Sequence, residues 1–342
     1  MNRKCFMLIR AWRICKICMI FLMTLSSCST GDAGVTAMLG GSSQALLYLG
    51  SRTVSEMELE FDFSQPVKVK QIAFEPRLSV ASVEDGRTVR VRLEEAANPG
   101  ILLTADLLAE DEKRNTINVL VSFRSRNNRM PELIINELCT EYSNPRTEFI
   151  EFKIISDGNL GAMRVFIMGN SNTSKETIFE FKPVEVKKDD LIVLHLRTVE
   201  DGCKDEYTDN LEESGGRNAS PAARDFWMPE NTKRVHKEAS AVYALDQDDK
   251  VLCAIMVSAE SSPWWGKDYF AETAALLFNQ GKWQTAEATI AGPADAIRST
   301  GTTNTRTICR DEKTENTNTA ADWYVTVTSG ATPGRPNNTG RY

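Results

Sequence analysis

The sequence predicts a mainly β protein with two β-sandwich domains in tandem, the second with a helical insertion. Apolar and acidic residues alternate strictly over residues 56–63, and such alternation is typical of a strand with one buried face. Shorter alternating runs follow and are separated by turn-forming clusters of Asp, Asn, Gly and Pro. Short strands at this spacing, without a credible helix between residues 45 and 126, favour a sandwich.

The first 27 residues predict a cleaved export signal. Five basic residues and no acidic one precede an apolar run at 17–25, which is shorter than the roughly 20 residues that span a membrane. The run closes with Leu25-Ser26-Ser27-Cys28, which resembles the lipobox of bacterial lipoproteins. The resemblance implies that Cys28 carries acyl chains such as palmitate and anchors the protein to a membrane of the bacterial cell envelope, with the folded part outside the cytoplasm. A plain secretory signal with an incidental cysteine is the alternative.

The exported protein would be acidic. Removal of residues 1–27 takes away five positive charges and moves the formal net charge from −7 to −12. Because nucleic-acid binding depends on Lys and Arg that neutralise phosphates, we expect no nucleic-acid partner. Residues 28–44 are small, polar and glycine-rich, and they predict a flexible linker after the lipidated cysteine.

Two folded domains are predicted after this linker, at residues 45–128 and 129–342. The last alternating run of the first domain ends at Phe123, and the next begins at Leu133 after a charged stretch and Pro131. A change in the phase of the alternation between Val69 and Ile72 predicts a β-bulge within the first domain.

Both domains resemble known families. The runs at 58–67 (ELEFDFSQPV) and 117–123 (INVLVSF) make the first similar to the bacterial Ig-like domains of surface proteins. The second resembles the bacterial lamin tail domain, an Ig-like sandwich, through five ordered landmarks: 133–138 (LIINEL), 148–152 (EFIEF), 158–165 (GNLGAMRV), 321–323 (ADW) and 331–337 (ATPGRPN). The resemblances imply a spacer or protein-binding role and no enzymatic activity of these domains themselves.

Two segments of the second domain depart from the lamin-tail pattern. Residues 199–238 form a polar insertion that is longer than a usual sandwich loop. Residues 263–298 predict helix, since alanine and leucine recur at helical spacing over 267–280 and 285–291, and Gly281 is suited to a helix C-terminus.

The carboxylates of the second domain are weak candidates for catalysis. Glu137, Glu148 and Glu151 could serve as acid and base, but Glu148 and Glu151 are three residues apart and point to opposite faces of a strand. We expect these side chains to hydrogen-bond loop amides or to pair with Arg164.

Histidine and cysteine patterns likewise predict no enzyme, no metal and no cofactor. His195 and His236 lack an accompanying nucleophile motif. The acidic stretches at 201–206 and 246–249 have the acid density of a calcium loop, but the second reads as a hairpin turn. Four cysteines remain besides Cys28, and they either form disulfides that the sequence does not rank or stay buried as thiols: Cys139, Cys203, Cys253 and Cys309.

An aromatic stretch at 263–270 (PWWGKDYF) is the best candidate for contact with a partner. The rings of Trp264, Trp265 and Tyr269 could stack on a sugar or a protein surface. Alternatively, they fill the joint between the helix and the sandwich.

The sequence therefore predicts a membrane-anchored envelope lipoprotein that acts in binding, adhesion or scaffolding, with a protein or glycan partner. Two alternatives remain: a carbohydrate-binding module, and an accessory or performer of extracellular hydrolysis, because lamin-tail-like domains often accompany nuclease or phosphatase domains.

Overall fold

The computed structural model describes residues 45–169 and 179–342 and is mainly β, with several sheets. This confirms the predicted fold class. The predictions for the leader, for Cys28 and for the linker at 28–44 lie outside the described residues. Within the described ranges there is one α-helix, and no helix there is long and apolar enough to cross a membrane.

The described chain divides into two compact units that are interleaved in sequence. The first unit contains residues 45–52, Leu59–Arg92 and Thr104–Val121. The second unit contains Thr53–Glu58, Leu93–Leu103 and Ser122–Tyr342. The predicted boundary between two independently folding domains, near residues 124–131, stays a prediction.

One six-stranded sheet forms the N-terminal part of the fold, in the order β3-β4-β2-β5-β6 with β1 paired to β2. Its strands are β1 (Tyr48–Ser55), β2 (Glu58–Glu75), β3 (Val80–Glu84), β4 (Gly86–Leu93), β5 (Leu102–Asp111) and β6 (Thr116–Arg124). Alternate residues of β4 and β5 are buried, as the period-two pattern requires. The pairing of β2 with β5 shifts register between Val69 and Gln71, which confirms the predicted bulge.

The second unit contains two larger sheets. The first has the order β14-β13-β8-β7-β18-β19, the second has the order β11-β10-β15-β16-β17, and β9 pairs with β12 in a separate ribbon. The strands are β7 (Leu133–Cys139), β8 (Phe149–Ile154), β9 (Gly158–Asn159), β10 (Arg164–Gly169), β11 (Phe179–Glu180), β12 (Glu185–Val186), β13 (Leu191–His195), β14 (Arg224–Trp227), β15 (Ala239–Leu245), β16 (Val251–Ser258), β17 (Ile297–Arg298), β18 (Ile308–Arg310) and β19 (Trp323–Val325). Side chains from both larger sheets share one apolar core, for example Phe152, Leu194, Val242 and Ile255.

The helical insertion contains one helix, α1 (Asp268–Asn279), and this part of the prediction is confirmed. Phe270, Ala274 and Leu277 lie at helical spacing and are buried in the core. Gly281 follows the C-cap with a φ of 68°, a conformation that favours glycine.

The second predicted helical segment, 285–291, is wrong. The chain turns there instead, with the backbone N–H of Thr289 donating to the hydroxyl of Thr285 at 3.0 Å and with Ala288 at a φ of 53°. Residues 286–290 are all exposed, so a helix here would have no buried face to stabilise it. The threonine hydroxyl also competes for the backbone donor.

Candidate functional site

Glu137 is a buried carboxylate that fastens a distant loop to β7. It accepts a hydrogen bond from the backbone N–H of Thr332 at 3.1 Å and another from the Thr332 hydroxyl at 3.1 Å. The hydroxyl of Thr307 also donates to it. Both oxygens are occupied, so Glu137 is an anchor for the loop.

Glu151 lies opposite Glu137 on β8 and holds the same loop. It accepts from the side-chain amide of Asn136 at 2.8 Å and from the backbone N–H of Gly334 at 2.7 Å. The prediction that the carboxylates bind loop amides is therefore confirmed for Glu137 and Glu151, and it is wrong for Glu148, whose carboxylate binds Arg197. The alternative pairing with Arg164 is wrong, because Arg164 lies in the other sheet and donates to Asp249 at 2.6 Å.

Burial changes the acidity of both carboxyl groups. Desolvation raises the pKa of Glu137, and it raises the pKa of Glu151 to about 8. The charge of Glu137 raises the pKa of Glu151 further, while the hydrogen bond from Asn136 lowers it. Perturbed carboxyl groups are common in active sites, but both residues are fully buried and no substrate could reach them. This geometry favours a structural role.

Glu148 forms a buried ion pair with Arg197. The guanidinium binds both carboxylate oxygens, with Nε donating at 2.6 Å, and it lies over the ring of Tyr142 at 4.2 Å. A third contact runs from Arg197 to Asn231 at 2.9 Å. Bidentate geometry is the strong form of an arginine–carboxylate pair. The pair connects Glu148, which precedes β8, to the segment after β13.

His195 belongs to a buried row of polar side chains that the sequence did not reveal. Its Nε2 lies 2.7 Å from Asp225 Oδ1, its Nδ1 lies 3.3 Å from the hydroxyl of Thr147, and the ring of Trp227 stacks on it at 3.8 Å. A hydroxyl, an imidazole and a carboxylate in a row are the same types of side chain as in a catalytic triad. Thr147 is only 3% exposed, however, and Asp225 also accepts from the backbone N–H of Ser220 at 2.7 Å. The hydrogen bond between His195 of β13 and Asp225 of β14 links these two strands at the edge of the sheet.

The acidic stretches also bind backbone amides. Asp246 Oδ1 accepts from the N–H groups of Asp248 and Lys250, at 2.9 and 3.0 Å, which confirms the hairpin turn between β15 and β16. Asp205 and Glu206 likewise accept backbone N–H groups. Among residues 45–169 and 179–342, no group of three or more His, Cys, Asp or Glu is arranged to hold a metal ion.

The four cysteines of the described chain are free thiols: Cys139, Cys203, Cys253 and Cys309. Burial raises the pKa of Cys139 and that of Cys253 to about 12. Because the thiolate is the reactive form, these two residues are inert packing groups.

The three aromatic residues predicted to contact a partner have different surroundings. Trp264 is 80% exposed. Trp265 stacks on Phe270 with ring centroids 4.9 Å apart, and its indole N–H donates to the carbonyl of Ala291 at 2.8 Å. Tyr269 is half-buried against Phe270. Trp264 is thus the ring that this stretch presents to solvent.

The structure also contains a cleft of about 600 Å³, which we call the Trp283–Arg310 cleft. The starts of β7 and β16, the segment after α1 and the end of β18 line it. Both naming residues are buried, and they are distant in sequence. The sequence does not predict this cleft, because Trp283 stands in no binding motif and could be an ordinary core residue. Arg310 likewise could be an ordinary residue of a strand.

Fold and site together define a mainly β protein in which the buried carboxylates of Glu137, Glu148 and Glu151 bind groups of the fold itself. Residues 131–325 match the model of the family TP_1001_2nd, described as "protein second domain". This match covers more than half of the chain, and the chain belongs to that family.

Two further similarities accompany the family match. An "uncharacterized protein" of Treponema pallidum (strain Nichols) is 24% identical over 182 residues, which are 51% of this chain and 46% of that protein. This chain therefore matches about half the length of that relative. The crystal structure of the N-terminal part of the bacterial S-layer protein SbsC is similar over 67% of this chain and 47% of that one, with 11% identity and a TM-score of 0.24.

Proposed function

We propose that this protein is a lipid-anchored envelope protein that binds a protein or glycan partner without catalysing a reaction. The observation that carries the proposal is the sequence Leu25-Ser26-Ser27-Cys28 at the end of a basic and apolar leader, followed by a polar linker. Several acyl chains hold a protein on a membrane far more firmly than one. The folded units would then be displayed outside the cytoplasm.

Further support for a binding role comes from how the second unit uses its charged groups. Glu137, Glu148 and Glu151 bind loops or an arginine, and His195 is enclosed between Asp225 and Trp227. Groups that are occupied inside the fold leave recognition to the surface. We also propose that residues 45–128 form an Ig-like domain and residues 129–342 a lamin-tail-like sandwich, on the landmarks named above.

Cys28→Ser is expected to release the protein from the membrane, because serine cannot take the thioether-linked lipid of a lipobox cysteine. The full chain with this change should lose metabolic labelling by fatty acid and should leave the detergent phase in a partitioning experiment. Cys18→Ser is the matched control, since it lies in the same leader and should change neither readout. Unchanged labelling of Cys28→Ser would contradict the anchor.

Trp264→Ala is expected to weaken partner capture by about tenfold without a change in melting temperature, because the ring is exposed and large aromatic rings dominate many binding surfaces. The readouts are pull-down from detergent-solubilised envelope and binding to a glycan array. Trp265→Ala is the matched control for packing and should lower the melting temperature, since Trp265 stacks on Phe270. If the Trp264→Ala variant captures the partner as well as the natural chain does, Trp264 is not part of the binding surface.

A further inference from the structure

We propose that the Trp283–Arg310 cleft binds a small molecule in which a carboxylate, or a similar oxyanion, is joined to an apolar group. This site is separate from the lipid anchor and from Trp264, and it does not depend on the function proposed above. All of the residues that line it belong to the second unit.

Two buried hydrogen-bond donors carry the inference. The indole N–H of Trp283 and the Nε–H of Arg310 have no acceptor among the described residues, although the two side chains are only 1% and 6% exposed. Buried donors are almost always paired in folded proteins. Another nitrogen of Arg310 reaches the carbonyl of Thr314 at 3.4 Å, which orients the guanidinium but leaves Nε free. Since both residues line the cleft, an acceptor on a bound molecule would satisfy them.

The charges around the cleft favour an anion as that acceptor. Lys250 and Lys282 also line it, and neither forms an ion pair with any residue in the described part of the chain. Two acidic residues are present as well, but Asp246 accepts backbone N–H groups of its own turn, and Glu132 is exposed at the rim. A guanidinium with a free Nε–H, in a cleft that two lysines also line, is a typical setting for a carboxylate or phosphate.

Size and wall chemistry point to a small organic molecule. A volume of about 600 Å³ is within the usual range of small-molecule pockets, which combine apolar walls with a few polar groups. Leu133, Ile135, Val251 and Trp323 supply apolar surface here. A ring or short alkyl chain would contact these walls while its oxyanion reaches the donors.

The test uses the full chain in detergent, labelled with 5-fluorotryptophan and observed by fluorine NMR. Trp283→Phe assigns the resonance of Trp283 by its disappearance. Benzoate, indole-3-acetate and phenyl phosphate are the probes, and neutral benzamide is the matched control ligand. We expect at least one anionic probe to shift the Trp283 resonance saturably, and benzamide to leave it unchanged at the same concentration.

Variants then separate the cleft from general anion binding. Arg310→Gln should weaken the active probe about tenfold, whereas Arg335→Gln, an exposed arginine outside the cleft, should not. If Arg310→Gln fails to fold, Lys282→Gln serves instead and should weaken binding about threefold with an unchanged melting temperature. The proposal is overturned if no anionic probe shifts Trp283 saturably, if benzamide binds equally well, or if the cleft variants bind as tightly as the natural chain.

Discussion

Arg197→Ala is expected to lower the free energy of unfolding by about 3–5 kcal/mol, which is the usual cost of breaking a buried ion pair by removing one partner. The variant leaves the carboxylate of Glu148 buried without its cation, and it also removes the contacts with Tyr142 and Asn231. Urea-induced unfolding of the full chain, followed by near-UV circular dichroism, measures the loss.

Two further variants separate the charge from the packing. Arg335→Ala removes an exposed arginine and should change the free energy of unfolding by less than about 0.5 kcal/mol. The double variant Glu148→Gln with Arg197→Met removes both charges and should be more stable than Arg197→Ala alone. A loss below about 1 kcal/mol for Arg197→Ala would mean that the pair contributes little.

Rising pH is expected to destabilise the second unit through Glu151. Burial raises the pKa of this carboxyl to about 8 from an ordinary value of 4.5. Between these values the folded protein retains a proton that the unfolded chain releases, so the stabilisation is complete below about pH 4.5 and is lost as the pH rises to about 8. From pH 5 to pH 8 the contribution to the free energy of unfolding should fall by on the order of 3 kcal/mol.

Other carboxyl groups titrate with the opposite sign, so the effect must be measured as a difference. Arg90 lowers the pKa of Glu60, for example, and such a group stabilises the fold as the pH rises. Urea unfolding at pH 5, 6.5 and 8 should show the natural chain losing stability relative to Glu151→Gln, which has no proton to release. Glu315→Gln, at an exposed position, is the control. Parallel profiles for Glu151→Gln and the natural chain would show that the carboxyl titrates normally in the fold.

Local patterns in the sequence were sufficient to predict much of the β architecture. Strict alternation marked the start of β2, and a phase change between Val69 and Ile72 located its bulge. Both features depend on neighbouring residues along the chain, so they are visible without tertiary information. Helix α1 was predictable for the same reason, since its buried face recurs at helical spacing within 12 residues.

Strand β14 shows where local patterns fail. Its sequence, Arg224–Trp227, begins with two charged residues and reads as part of a polar insertion. The strand is nevertheless buried, because Asp225 binds His195, and the backbone N–H of Asp225 donates to Glu206. These partners lie 30 and 19 residues away in the chain. Tertiary contacts compensate for the charges, and no short window of sequence contains them.

The candidate site was predictable only in part. Loop amides were predicted as partners of Glu137 and Glu151, but the sequence could not indicate that Thr332 and Gly334 supply them. The sequence also could not indicate which of the two adjacent tryptophans is exposed. Only the fold places a neighbouring ring, that of Phe270, against Trp265 and leaves Trp264 in solvent. The Trp283–Arg310 cleft depends on two donors that have no acceptor, and a missing partner leaves no pattern in sequence.

The loop held by Glu137 and Glu151 also determines when the second unit can complete its folding. The amides of Thr332 and Gly334 follow these carboxylates by 195 and 183 residues, and Asn337 reaches back to the carbonyl of Asn136 at 3.0 Å. Strands β7 and β8 are therefore synthesised long before the groups that form hydrogen bonds with their buried polar atoms. Contacts between residues so far apart in the chain form slowly. The second unit therefore cannot complete the hydrogen bonds of its interior until residues 332–337 have been synthesised.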